Sequence, residues 1–129
     1  MKLYDIKTEE ASGRGLYAAK EISPGEVISV CELLVLNPID TIAVNQTDLR
    51  YYVFKYSENQ DCLVLGDGEL FNHSDAPNVS FSLEKVDNRL KMIFKCVKTI
   101  VTGEQLLIDY ASDEKVEILN YINTKSLVS

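Results

Sequence analysis

Apolar and polar positions alternate at period two through much of this 129-residue chain. Val79-Ser80-Phe81-Ser82-Leu83 and Leu90-Lys91-Met92-Ile93-Phe94-Lys95-Cys96-Val97 flank the turn-forming run Val86-Asp87-Asn88-Arg89, which predicts a β-hairpin. Val27 to Leu36 is rich in β-branched residues and too short to cross a membrane, so it predicts one strand or two broken at Glu32, entered through the Pro24-Gly25 turn and stopped at Pro38. Leu3 to Ile6, Cys62 to Leu65 and Leu106 to Ile108 predict three more short strands. Helical spacing shows in two places. Thr47 as N-cap with Leu49, Tyr52, Val53 and Tyr56 on one face predicts an inserted helix over 47–56. Ser112 as cap, Asp113 and Glu114 in the first turn and the stripe Val116, Leu119, Ile122 predict a C-terminal helix. Short strands with turn punctuation imply an all-β framework of small sheets with little helix until the end.

The chain is the size of one domain. With 46% hydrophobic and 26% charged residues it has globular composition, and no apolar run reaches the roughly 20 residues of a membrane span. Met1-Lys2-Leu3-Tyr4-Asp5 lacks an apolar leader core, which predicts a cytoplasmic protein, or a nuclear or host-directed one if the source is viral or eukaryotic. Cys31, Cys62 and Cys96 are odd in number, widely spaced and set in apolar stretches, the pattern of reduced, buried thiols. A net charge of -7 argues against a protein that grips nucleic acid by its phosphates and suits a basic partner, although it also serves solubility.

The chemistry-bearing stretch is Leu65 to Val79. Gly66 and Gly68 free the backbone on either side of Asp67, and Pro77 fixes the exit of a polar cluster. Within it Asn72 and His73 set an amide beside an imidazole, a pair that suits the hydrogen-bonding edge of a purine-like ligand and that also closes ordinary turns. Upstream, Gly13-Arg14-Gly15 lets a backbone approach a ligand closely; alone, such a pair marks only a turn. Downstream, Gly103-Glu104-Gln105-Leu106 leads through Ile108 to Asp109-Tyr110 at a strand end.

Taken in order, Gly13-Arg14-Gly15-Leu16, Phe71-Asn72-His73-Ser74 with Pro77-Asn78, and Gly103-Glu104-Gln105-Leu106 with Asp109-Tyr110 resemble the three signatures of SET-domain protein-lysine methyltransferases, most closely the minimal viral and bacterial ones. The resemblance runs from about Ser12 to Tyr110. It implies a mainly β SET-domain (β-clip) fold of several small sheets with a knot-like threaded loop, one short inserted helix and a C-terminal helix. The expected organisation is a single domain over 1–129, with its core at 12–110 and with 111–129 replacing the family's cysteine-rich post-SET segment. No cysteine follows Cys96, so no zinc is expected. S-adenosylmethionine is the implied cofactor, held by Gly13, Arg14, Gly15, Asn72 and His73. Tyr110 is the implied catalytic residue, and Tyr52, Ile108 and Tyr110 are expected to line the lysine channel. Glu104 is expected to support its turn rather than act as a base. Where Ile108 stands, a family tyrosine tends to restrict the product to monomethyl-lysine, so isoleucine is expected to permit di- or trimethylation. Asp75 departs from the family's frequent cysteine.

The implied substrate is a lysine in a basic protein, such as a histone or histone-like protein, and a homodimer is expected to complete the substrate groove. The other reading is a non-catalytic SET-like interaction module. A serine hydrolase built on Ser74 and His73 is a poor fit, because neighbouring residues do not form a nucleophile-base pair readily and no G-x-S-x-G elbow exists.

Overall fold

A computed structural model describes residues 2–9 and 13–110. The helix expected over 112–122 lies outside the described residues, as does Ser12. Among the described residues ten strands dominate: β1 Tyr4–Glu9, β2 Gly13–Ala18, β3 Val27–Cys31, β4 Leu33–Val35, β5 Val53–Ser57, β6 Gln60–Val64, β7 Asn72–His73, β8 Val79–Val86, β9 Arg89–Cys96 and β10 Leu107–Ile108. They form four small sheets, ordered β1-β2, β10-β7, β3-β9-β8 and β4-β6-β5. The mainly β architecture expected from the alternating pattern is the one observed. The break at Glu32 is real, and the hairpin β8–β9 turns at Asp87 and Asn88, whose φ of 53° and 67° are values that Asp and Asn tolerate and that two-residue hairpins require.

The described residues fall into two compact units. The first takes 2–30, 70–81 and 93–110. Its core comprises Leu16, Ile22, Val79, Ile100, Leu106 and Ile108 around Phe71, Phe81 and Phe94, with the rings of Phe71 and Phe94 stacked at 4.4 Å. β1 pairs antiparallel with β2, and only Tyr4 of β1 is buried, so β2 carries the apolar face of that hairpin. On its other edge β2 meets the segment that leads to β10, through Leu106 N–H to Leu16 C=O at 2.7 Å and Ala18 N–H to Glu104 C=O at 2.8 Å.

The second unit takes 31–69 and 82–92. Here the inserted helix differs from expectation. The observed helix, α1, is Pro38–Val44, and Thr47 instead caps a single 3₁₀ turn, Asp48–Tyr51, before Val53–Ser57 extends as β5. Two physical facts explain this. Pro38 is a start signal, because at the first helical position its missing N–H has no intrahelical acceptor to lose, and Asn37 Oδ1 caps the turn by accepting from Asp40 N–H at 2.7 Å. Val53, Phe54 and Lys55 find strand partners in Leu63, Cys62 and Asp61, so pairing overrides the helical spacing. The spacing within α1 gave no clue, since Ile39 and Ile42 are 78% and 64% exposed. Its anchor is polar: buried Asp61 accepts from Asn45 Nδ2 at 2.8 Å and donates its backbone N–H to Thr41 Oγ1 at 3.1 Å.

Glu69 closes the first segment of this unit, in the 3₁₀ turn Gly66–Leu70. One carboxylate oxygen accepts from Val64 N–H, and the other is buried without a partner among the described residues. Burial pushes its carboxyl up from 4.5 to about 7, against the opposing effect of the Val64 hydrogen bond. The folded chain therefore holds this proton more tightly than the unfolded one. Stability from this group is complete below the unfolded value and is lost as pH rises through the folded one. Glu69→Gln stays neutral, so its stability relative to the parent, measured by urea unfolding, should rise as pH goes from about 5 to about 8. A pH-independent difference would contradict this account.

Candidate active site

Three segments distant in sequence converge inside the first unit. The Asn72 side-chain amide donates to Arg14 C=O at 3.0 Å and to Gln105 Oε1 at 2.7 Å, joining positions 58 and 33 residues away. Gly15 makes the junction fit: a Cβ there would lie 2.5 Å from Gln105 Oε1 and 2.8 Å from Asn72 Nδ2. The glycine is needed for close approach, whereas Gly13 and Gly103 are needed for their φ of 70° and 91°. Both Asn72 amide hydrogens are spent within the junction, so its offer to a ligand is the carbonyl oxygen rather than the whole carboxamide edge.

β7 and β10 pair in parallel over two residues, Asn72 with Leu107 and His73 with Ile108. Buried Asn78 clamps this short ladder. Its Oδ1 accepts from Leu107 N–H at 2.8 Å, its Nδ2 donates to Gln105 C=O at 2.9 Å, and its backbone N–H donates to Leu107 C=O at 3.2 Å. Ser74 adds a bond from its N–H to Ile108 C=O at 2.9 Å, while its hydroxyl accepts from Ala76 N–H at 3.0 Å to shape the turn.

Tyr110 emerges at the end of this ladder, 40% exposed. Its hydroxyl donates to Phe71 C=O at 2.6 Å, and its backbone N–H donates to His73 Nδ1 at 3.0 Å. The His73 and Tyr110 rings lie 5.0 Å apart, tilted by 45°. His73 Nε2 is 3.0 Å from Asp75 Oδ1, and Asp109 Oδ1 is 3.7 Å from Nδ1.

Gly13, Arg14, Gly15, Asn72, His73, Ile108 and Tyr110 thus all belong to the first unit, and Ile108 is fully buried. Tyr52 belongs to the second, where it is exposed and ends the 3₁₀ turn after Thr47. Arg14 enters the junction through its carbonyl. Glu104 supports its turn, its carboxylate accepting from Val101 N–H at 2.8 Å. Gln105 was not singled out from the sequence, although it ties Gly15, Asn72 and Asn78 together. The glycine at 15 signals a close neighbour without saying which residue it is.

The SET domain profile matches residues 13–111, most of the chain. The chain belongs to the SET-domain family. Among curated SET relatives, the H3 lysine-37 specific histone-lysine N-methyltransferase of Schizosaccharomyces pombe is 33% identical over 108 residues, 82% of this chain and 71% of that protein. The trithorax histone-lysine N-methyltransferase of Drosophila virilis is 32% identical over 81% of this chain but only 3% of its own length. Among solved structures, a Plasmodium falciparum protein described as a candidate histone methyltransferase superposes with a TM-score of 0.68 at 26% identity, over 86% of this chain and 95% of that one. Polycomb Repressive Complex 2 of Chaetomium thermophilum, autoinhibited and bound to S-adenosylmethionine, shares the SET fold at a TM-score of 0.72 and 23% identity, over 98% of this chain and 16% of that one.

The junction makes a quantitative prediction. Gly15→Ala should destabilise the SET domain by about 1–3 kcal/mol through overpacking. Gln105→Ala in the same chain removes the nearer of the two clashing atoms and the acceptor that holds Asn72 Nδ2 beside the other, so the double variant should be more stable than additivity allows by about 1 kcal/mol in urea unfolding. Strict additivity would mean that the two residues do not meet.

Proposed function

We propose that this chain is an S-adenosylmethionine-dependent protein-lysine N-methyltransferase acting on a basic protein, a histone tail or a histone-like protein being the fitting class. Relatives named as histone-lysine methyltransferases support the reaction, and a net charge of -7 supports the basic substrate. The observation that carries the reading is that Tyr110 and the Gly15–Asn72–Gln105 junction are tied to one short strand pair.

The residues present suit the cofactor. Asn72 Oδ1 is an acceptor matched to the ammonium of a methionine moiety, Arg14, whose carbonyl accepts from the Asn72 amide, is an exposed cation, and β7 supplies the backbone edge of His73 for an adenine. When bound, S-adenosylmethionine supplies a methyl group on a sulfonium sulfur, which an amine takes by direct displacement. The chain's task is then largely orientation, which in favourable cases contributes roughly 7–11 kcal/mol. Tyr110 is arranged for it. Its O–H is committed to Phe71 C=O, so toward an incoming amine the phenol oxygen can act only as an acceptor. A lysine ammonium, with a reference pKa of about 10.4, must lose a proton before it can attack, and removal from water assists that loss. Ile108 has no hydroxyl with which to hold an amine or a water, which supports transfer of more than one methyl group.

Tyr110→Phe should keep cofactor affinity and lose roughly 100-fold in turnover on a basic protein substrate. Asn72→Ala should weaken cofactor binding by about tenfold or more, equivalent to about 1.4 kcal/mol, in calorimetry. A Phe variant as active as its parent would remove Tyr110 from the chemistry, and a parent that does not bind the cofactor would remove the proposal altogether.

A further inference from the structure

We propose that the imidazole of His73 is a positioning residue for Tyr110, acting through the tautomer that its two hydrogen bonds impose; the functional half of this inference rests on the methyl-transfer reading above. A backbone N–H can only donate, so Nδ1, 3.0 Å from the Tyr110 nitrogen, is the bare nitrogen of the ring. Nε2 then carries the hydrogen, and Asp75 Oδ1 receives it at 3.0 Å. Asp75 is almost fully exposed, so it selects the tautomer rather than adding much stability.

The consequence is a two-point mount. Phe71 C=O holds the far end of Tyr110 by its phenol, and His73 Nδ1 holds the near end by its backbone. The two residues flank Asn72, whose own side chain is fixed to Arg14 and Gln105. A displacement of Asn72 is therefore passed to both ends of the tyrosine. His73, Asp75 and Asp109 also bring ligand-type atoms within 4.8 Å of one another, but both ring nitrogens are engaged. A cation there would have to displace one of these bonds, so the cluster is better understood as a clamp.

Two variants separate the roles. His73→Asn places a carboxamide oxygen near the position of Nδ1 and can still accept from Tyr110 N–H, whereas His73→Phe keeps the ring shape without an acceptor. His73 is the single histidine of the chain, so its imidazole nitrogen resonances are unambiguous. They should show the Nε2–H form in the parent. In His73→Phe, kcat should fall roughly 10- to 100-fold while cofactor Kd moves by less than about threefold, and hydrogen exchange at the Tyr110 amide should accelerate. In His73→Asn, Tyr110 should regain slow exchange and kcat should recover to about tenfold above the Phe variant. An Nδ1–H parent, or a Phe variant with parental kcat and parental Tyr110 exchange, would overturn the inference. A folded parent that transfers no methyl group would instead sink the methyl-transfer reading, and the resonances and the exchange rates would still decide whether the clamp exists.

Discussion

A parallel ladder of two residues is too short to hold itself together, and the candidate active site hangs from one. β7 and β10 persist because Asn78, a buried carboxamide, spends both ends of its side chain on the backbone of the opposing segment. Burying an amide costs free energy unless it is satisfied, and here the satisfied amide replaces strand pairing that the chain has no room for. Without that contact, Leu107 N–H and Gln105 C=O would be left without these bonds, and the segment carrying Tyr110 would lose its register with the segment carrying Asn72 and His73.

The molecule recognises its own loops through backbone groups more than through charges. Arg14 contributes a carbonyl, Phe71 a carbonyl, Tyr110 an amide and Gln105 both a carbonyl and a neutral side chain. Such contacts are short-range and directional, and unlike exposed ion pairs they are little affected by salt. The charged network of Glu32 with Arg89 and Lys91 belongs to the second unit.

Much of this was legible in the sequence because local rules and tertiary structure agree there. The hairpin β8–β9 follows from alternation plus Asp87-Asn88, and a single charge in an apolar run offered the split at Glu32 as one of two readings. The three motifs, each weak alone, marked together and in order the segments that meet at the junction, where Gly15, Asn72 and Asn78 each meet a steric or hydrogen-bonding demand. Illegible parts are those where two signals compete. Thr47 is a true cap, but the β-branched and aromatic residues after it find strand partners; Pro38, expected as a stop, begins a helix after β4 has already ended at Val35. Gln105 stands inside the third motif, but its role could not be read there, because it depends wholly on what lies across from it.

The order in which contacts can form follows from the same short ladder. Asn78 and Leu107 are 29 residues apart, and most of the intervening chain is the hairpin Val79–Cys96. Closing so long a loop for so few bonds is entropically unrewarding until the hairpin has shortened the effective path. The hairpin should therefore precede the ladder kinetically, making assembly of the Tyr110 segment a late event, governed by topology rather than by local propensity.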